Sequence, residues 1–389
     1  MSLFGQNCGL LLCRLSRTPR RRLRIVFLAS ACWAIGAFAQ DPNVLLKSLL
    51  PYQPEKKITG TIRIWGNKHM QGIVKHWEDG FSKYHPDVRF ETNLRGTASA
   101  IGGLYTGAAD IALTGRDTWP VDIDGFEETF QYKPFAIEVS TGSRDARDRD
   151  FALVVFVHKD NPLSDLTLAQ LDAIFGGDLR RGSKPIRTWG DLGLKGEWAD
   201  EPIHTYGFSP ANREFARFFE DAVMVGSRKW NCDMHGFSDL RQPDGSLSEA
   251  GQQIVDAVAK DRYGIAYSRL LYKNPLAKPL ALAPAMAKDL YGIEYSIEMY
   301  KHPVRKLSAP RDDGPYYAPT KANLIQRTYP LTGAVSIFIN RAPGTPIDPK
   351  IREYLLYVLS REGQEAVIRD GGYLPLNGVV AMAERRKLE

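Results

Sequence analysis

Residues 151–175 read FALVVFVHKDNPLSDLTLAQLDAIF. The stretch opens on an unbroken apolar run, 151–157, and turns at Asn161-Pro162. It closes on apolar Leu168, Leu171, Ile174 and Phe175 at helical spacing. An apolar run without alternation predicts a strand covered on both faces, as in a parallel sheet. Asp165 or Thr167 is placed to cap the helix that follows. The rest of the chain is expected to be arranged on either side of this strand.

The chain of 389 residues is long enough for two lobes, and a hydrophobic content of 43% is enough for proper cores. Residues 1–39 stand apart. They hold Arg14, Arg17, Arg20, Arg21, Arg22 and Arg24, no acid, then an apolar run over 25–38 closed by Ala37-Phe38-Ala39. A basic start, an apolar middle and a small-residue cleavage site describe a secretory signal peptide. The apolar run is shorter than the ~20 residues a spanning helix needs. Cleavage would remove six of the 51 basic residues and none of the 45 acidic ones, leaving 45 of each. The excess of base therefore belongs to the signal and excludes a nucleic-acid surface as its explanation. Of the four cysteines, Cys8, Cys13 and Cys32 leave with it, so Cys232 has no intramolecular partner. Export without disulfides fits a bacterial periplasm.

Beyond a Pro-bearing leader over 41–57, read as loosely packed, the pattern becomes β-α-β-α-β. Thr61-Ile62-Arg63-Ile64-Trp65 alternates as a strand. A helix is expected over 70–84, a strand over 88–94, a small-residue turn opening a helix over 96–105, and a strand over 110–114. That order indicates a parallel sheet. Later elements are a strand over 202–206, a helix after Ser209-Pro210 with Ser209 as cap, a helix over 251–259, strands over 263–268, 279–283 and 334–340, and one amphipathic helix over 351–367. Residues 142–150, dense in mixed charge, read as solvated surface.

Ligands of open α/β sheets bind beyond the carboxyl ends of the strands. Gly66-Asn67-Lys68, Gly96-Thr97-Ala98-Ser99 and Thr114-Gly115-Arg116 would converge there. Small residues at a helix start leave backbone N–H groups to meet an anion. Ser209 through Asn212 offers a second such start in the other half of the chain. Motifs for metalloprotease, serine hydrolase, paired-cysteine and P-loop chemistry are absent from the sequence. His69 and His76, seven apart, could share a helix face, but such a pair is ordinarily no metal site. Glu127-Glu128 falls in what reads as a loop. No cofactor or metal is expected.

Several segments together bring a family into view. DNPLSDLTLAQLDAIFGGDLR (160–180) resembles the NP…LT..QL..IF.G signature of the phosphate-binding proteins of ABC transporters. GTASAIGGL (96–104), ADIALTGRD (109–117), YGIAYS (263–268), YPLTGAVSIFINRAP (329–343) and YVLSREGQEAVIRDGGYLPL (357–376) resemble further segments of that family in the same order. The resemblance covers about residues 58–376. It implies an α/β, two-lobed periplasmic-binding-protein fold, a Venus flytrap of mostly parallel sheets with flanking helices, closing by hinge motion. It divides the chain into a leader over 40–57, a first lobe over 58–150 and 268–389, and a second lobe over 151–267 that begins with the crossing strand.

The resemblance implies a ligand set of Asn67, Lys68, Thr97, Ala98, Ser99, Gly115 and Arg116 from the first lobe, with Ser209, Asn212 and Arg213 from the second. Its departures are specific. The family's first-strand Ser/Thr falls on Asn67-Lys68-His69, its acidic position after the third strand on Gly115, its clamping Arg on Tyr206 and a loop serine on Pro210, while Arg213 is kept. Lys68 and Arg116 are the cations that could stand in. The expected function is an exported, monomeric, non-enzymatic protein that captures phosphate or another small oxyanion for an ABC permease. A sensing or scaffolding module on the same fold is the alternative, and a secreted hydrolase a more distant one.

Overall fold

The computed structural model describes residues 46–116, 118–143, 152–211, 213–283 and 315–389. The expected signal over 1–39 lies outside these residues, as does most of the charged loop over 142–150. All described residues fall within one compact unit, Ala39–Glu389.

The first lobe grows from β1 (Gly60–Gly66), whose alternation buries Ile62 and Ile64. A 3-10 turn, Lys68–Met70, leads into α1 (Gln71–Phe81), which buries Ile73, Val74, Trp77 and Phe81 on one face. Then come β2 (Val88–Asn93), α2 (Thr97–Tyr105) and β3 (Ile111–Thr114). Two elements follow that the sequence reading passed over, α3 (Pro120–Phe130) and β4 (Phe135–Thr141). Glu127-Glu128 therefore lies on a helix, not in a loop, with Phe126 of the same helix fully buried.

The second lobe opens with β5 (Leu153–His158) and continues through β6 (Asp165–Thr167) into α4 (Leu168–Phe175). Of the two expected caps, Asp165 and Thr167, it is Thr167 that caps α4. Its hydroxyl accepts from Gln170 N at 3.1 Å, while Gln170 Oε1 accepts from Thr167 N at 2.9 Å. Next are β7 (His204–Phe208), α5 (Arg213–Ala222), β8 (His235–Phe237), the small hairpin of β9 (Leu240–Arg241) and β10 (Leu247–Ser248), α6 (Ala250–Lys260), β11 (Gly264–Arg269), β12 (Ala277–Pro279) and β13 (Ala281–Ala283). The chain finishes with α7 (Lys321–Ile325), β14 (Ala334–Ile339), α8 (Pro349–Val358), α9 (Arg361–Asp370) and α10 (Gly378–Arg386).

Each lobe has a five-stranded sheet. The orders are β2-β1-β3-β14-β4 and β12-β5-β11-β7-β8. In both, a parallel trio is completed by antiparallel pairing. β5, read as a strand of a parallel sheet, pairs antiparallel with both neighbours. Its uniform apolarity reports burial on both faces, which helices impose whatever the pairing direction.

The crossing between lobes also differs from expectation. β5 lies wholly in the second sheet, so the chain crosses just before it. β12 and β13 remain with the second lobe by pairing with β5 and β6, and Leu324 and Ile325 of α7 belong to its core. The return expected at residue 268 thus takes place along 329–333. There, Leu153 N donates to Leu331 O at 3.0 Å, Gly142 N to Gly333 O at 2.9 Å, and Ala152 bridges Thr332. The described residues on either side of the outgoing crossing thus pair with the returning segment.

Three further readings are corrected. Leu46, Leu49 and Tyr52 of the supposed loose leader are buried in the first lobe's core. Tyr52 donates to Glu353 Oε2 at 2.9 Å, and Arg361 reaches Leu46 O and Leu49 O. The single helix over 351–367 is two, because Ser360 turns extended and its hydroxyl caps α9 at Gly363 N. His69 and His76 lie on different elements.

Close packing of α1 against the last turn of α8 requires Gly80. A Cβ there would lie 1.8 Å from the Tyr357 hydroxyl, and Trp77 Nε1 donates to Gly363 O at 2.9 Å beside it. Gly80→Ala is expected to lower unfolding stability by about 1–3 kcal/mol, the cost of overpacking a filled core. Urea denaturation measures it, and a change within 0.5 kcal/mol would show that the helices separate easily there.

Candidate functional site

The first lobe's loops converge as the parallel topology dictates. Gly96 N donates to Gly66 O at 3.0 Å, tying the end of β1 to the start of α2. Asn67 Nδ2 donates to Thr97 Oγ1 at 3.3 Å, and Asn67 Oδ1 accepts from His69 N at 2.9 Å, capping the 3-10 turn. Gly66 admits the approach, since a Cβ would lie 2.9 Å from Leu113 O on β3. Gly96 opens α2 at φ 156 with no side-chain cap. Thr97 is buried; Ala98 and Ser99 are exposed in the first turn, and Ser99 Oγ donates to Gly96 O at 2.8 Å. Lys68 is exposed at the same edge.

The third loop behaves differently from expectation. Gly115 and Arg116 are buried, and Thr114 Oγ1 donates to Arg116 O at 3.1 Å. Arg116 is only 6% exposed and forms a two-point pair with Asp122 of α3, Nη1 to Oδ2 at 2.7 Å and Nη2 to Oδ1 at 3.2 Å. Asp122 also accepts from Trp119 N at 2.8 Å, and the guanidinium lies 4.1 Å from the Trp119 ring centroid. Arg116 was read as a cation replacing lost charge. Its charge is instead matched by a carboxylate six residues away.

In the second lobe β7 delivers Ser209 to the facing edge. Phe208 O accepts from the Tyr267 hydroxyl at 3.1 Å, and Tyr267 is stacked with Phe219 at 4.0 Å between ring centroids. Gly207 makes room for that ring, since a Cβ would lie 2.1 Å from it. The loop is therefore set by a buried aromatic stack. Ser209 Oγ accepts from Ala211 N at 3.3 Å, and α5 begins at Arg213. Pro210 is consequently in a turn ahead of the helix, not at its first position. Asn212 and the Arg213 side chain lie outside what is described.

Tyr206 points elsewhere. Its hydroxyl donates to Asp261 Oδ2 at 2.8 Å, and burial followed by that carboxylate pushes the phenol up to about 12. The residue standing at the family's clamping Arg thus belongs to a network with His204, whose Nδ1 lies 2.7 Å from Asp261 Oδ2. A cavity of about 490 Å³ beside it, lined by Arg187, His204, Thr205, Asn231, Asp233 and His235 among others, opens at the start of β7, away from Ser209.

Among the described residues, an ion pair joins the two edges. Arg116 Nε of the first lobe lies 3.7 Å from Glu214 Oε2 on α5. Glu214, Asp122 and Trp119 were not singled out from sequence. The signals were present: Trp-Pro-x-Asp is a helix start with Pro first and an acid at the third position, and Glu214 follows the retained Arg213.

The sequence matches the PBP superfamily domain over residues 52–362. The chain is a member of that superfamily. It is 30% identical over 367 residues to the phosphate-binding protein PstS of Pseudomonas aeruginosa, covering 94% of this chain and 97% of that one. It is 22% identical to protein SphX of Synechococcus elongatus, covering 85% and 81%. A crystal structure of PstS from Borrelia burgdorferi aligns with 14% identity and a TM-score of 0.47, covering 83% of this chain and all of that one. The domain match and the Pseudomonas aeruginosa relative place the chain with the family of phosphate-binding proteins that its motifs resemble. Among the described residues, no helix is long and apolar enough to cross a membrane, and no three His, Cys, Asp or Glu side chains cluster as a metal site.

Breaking the buried pair by Asp122→Ala would remove the two-point partner of the Arg116 guanidinium. We expect a loss of about 3–5 kcal/mol in unfolding free energy. A loss below about 1 kcal/mol, the scale of exposed pairs, would show that the pair is solvated.

Proposed function

We propose that the chain is a solute-binding protein that captures phosphate or a closely similar oxyanion between its lobes and presents it to an ABC permease. The observation that carries the reading is the convergence of Asn67, Thr97 and the Gly96 helix start on one edge, with Arg116 reaching across to α5 of the other lobe, in a chain related end to end to PstS. Helix starts and hydroxyls at the carboxyl ends of parallel strands supply oriented N–H and O–H donors to an oxyanion. Asn67, Lys68, Thr97, Ala98, Ser99 and Gly115 form the first-lobe half of the ligand set. Ser209, Asn212 and Arg213 form the second, with Arg116 acting at the seam.

The remaining parts of the reading follow from the same sequence. Residues 1–39 direct export to the periplasm, where the protein works as a monomer without catalysis. Tyr206 and Pro210, standing where the family has an arginine and a serine, favour a second reading, a sensing or scaffolding module whose cleft takes another ligand or none.

Differential scanning fluorimetry with phosphate, sulfate, molybdate and small organic acids separates the two. A ligand at a hundredfold excess over its Kd stabilises by about 2.7 kcal/mol, so phosphate is expected to raise the Tm measurably. No shift with any of these anions would remove the transport reading and leave the sensing one.

A further inference from the structure

Glu214 stands where a ligand's charge would be expected. It lies in the first turn of α5, the helix start that the proposed function offers to an oxyanion. An acid there already satisfies the positive end of the helix. The same carboxylate lies 3.7 Å from Arg116 Nε, and its side chain is 23% exposed. The other face of that guanidinium is held by Asp122 at 2.7 and 3.2 Å. One carboxylate thus engages both the cation of the first lobe and the helix start of the second. An acid serving only the helix dipole would have no reason to point at the opposite lobe.

Charge makes the arrangement competitive. Among the described residues, Arg116 faces the carboxylates of Asp122 and Glu214. Asp122 is buried on the same lobe and accepts a backbone N–H as well, so it is fixed. Glu214 is the partner that can leave, because its side chain is partly exposed and comes from the opposite lobe. An oxyanion at the seam would meet a like charge at close range unless Glu214 withdrew.

We propose that Glu214 is an internal stand-in for the ligand: it latches the lobes together across the cleft when no oxyanion is bound, and an oxyanion binds by displacing it from Arg116. This rests on the reading that the cleft takes an oxyanion. It adds that Glu214 sets the affinity and biases the ligand-free protein toward closure, since each state's stability depends on which anion holds the guanidinium.

Glu214→Gln keeps the size of the side chain and removes its charge. Two measurements test the proposal on the protein and this variant, with circular dichroism confirming that both are folded. Small-angle X-ray scattering without ligand is expected to give a larger radius of gyration for the variant. Calorimetric titration with inorganic phosphate is expected to give about tenfold tighter binding by the variant, within the usual range of coupling between linked equilibria. An unchanged radius of gyration overturns the latch. Weaker phosphate binding by the variant overturns the competition, because Glu214 would then be contacting the ligand. If phosphate bound neither protein, the oxyanion reading itself would fail, and the scattering comparison alone would decide the latch.

Discussion

The two lobes depend on a pair of chain segments hydrogen-bonded side by side. Leu153 N to Leu331 O, Gly142 N to Gly333 O and the bridge between Ala152 and Thr332 tie the outgoing crossing to the returning one. Tyr329, 1% exposed, donates its hydroxyl to Leu153 O at 3.1 Å and fixes the second segment to the first strand of the second lobe. Arg327 adds a clasp from the returning side, with Nη2 on Glu138 at 3.0 Å and Nε on Thr141 Oγ1 at 3.0 Å. Paired backbone and these side chains hold the two lobes together at this point. In each sheet the parallel trio sets the loops that follow its strands, and Arg116 after β3 meets Glu214 of α5, the helix that follows β7.

The sequence showed the scaffold well and the site less well, for different physical reasons. Buried strands and amphipathic helices repeat a pattern over many residues. Residues 151–175 therefore show the strand and the turn, and Thr167 as one of two candidate caps, in agreement with the structure. Errors came where one residue decides the outcome. Ser360 divides what periodicity joined into α8 and α9, and Pro120 with Asp122 starts a helix in a segment whose acids looked like a loop. Pairing direction was misjudged for β5, since burial on both faces leaves the same apolar signature in either orientation. The leader was misjudged because a few side chains, Leu46, Leu49 and Tyr52, anchor it, too few to make a period.

At the site, the loops could be located from sequence, but the charge balance could not. Arg116 looked available because its partner, Asp122, is a contact made by the fold of one turn into α3, and Glu214 reaches it from a helix nearly a hundred residues away. A cation's role depends on its neighbours in space, and only the first of these neighbours is near in sequence. Tyr206 carries the same lesson in reverse. It occupies the family's arginine position in the chain, yet its hydroxyl is turned to Asp261 and away from the cleft.

The early and late parts of the chain both pack on the first lobe. Leu46 and Leu49 lie in its core, Gly378 at the start of α10 fits against Ser48, where a Cβ would come within 2.6 Å of the Ser48 hydroxyl, and the buried Glu384 accepts from Glu138 N at 3.0 Å. The second lobe is accordingly an insertion, joined to the rest through the paired segments, the bond from Asn377 Nδ2 to Ile325 O at 3.1 Å and the Arg116–Glu214 contact. Tension applied between the two outer segments would be borne by the first lobe, and the second would hang outside the load path. A tether or fusion attached at either outer segment would hold one lobe still and leave the other free to swing.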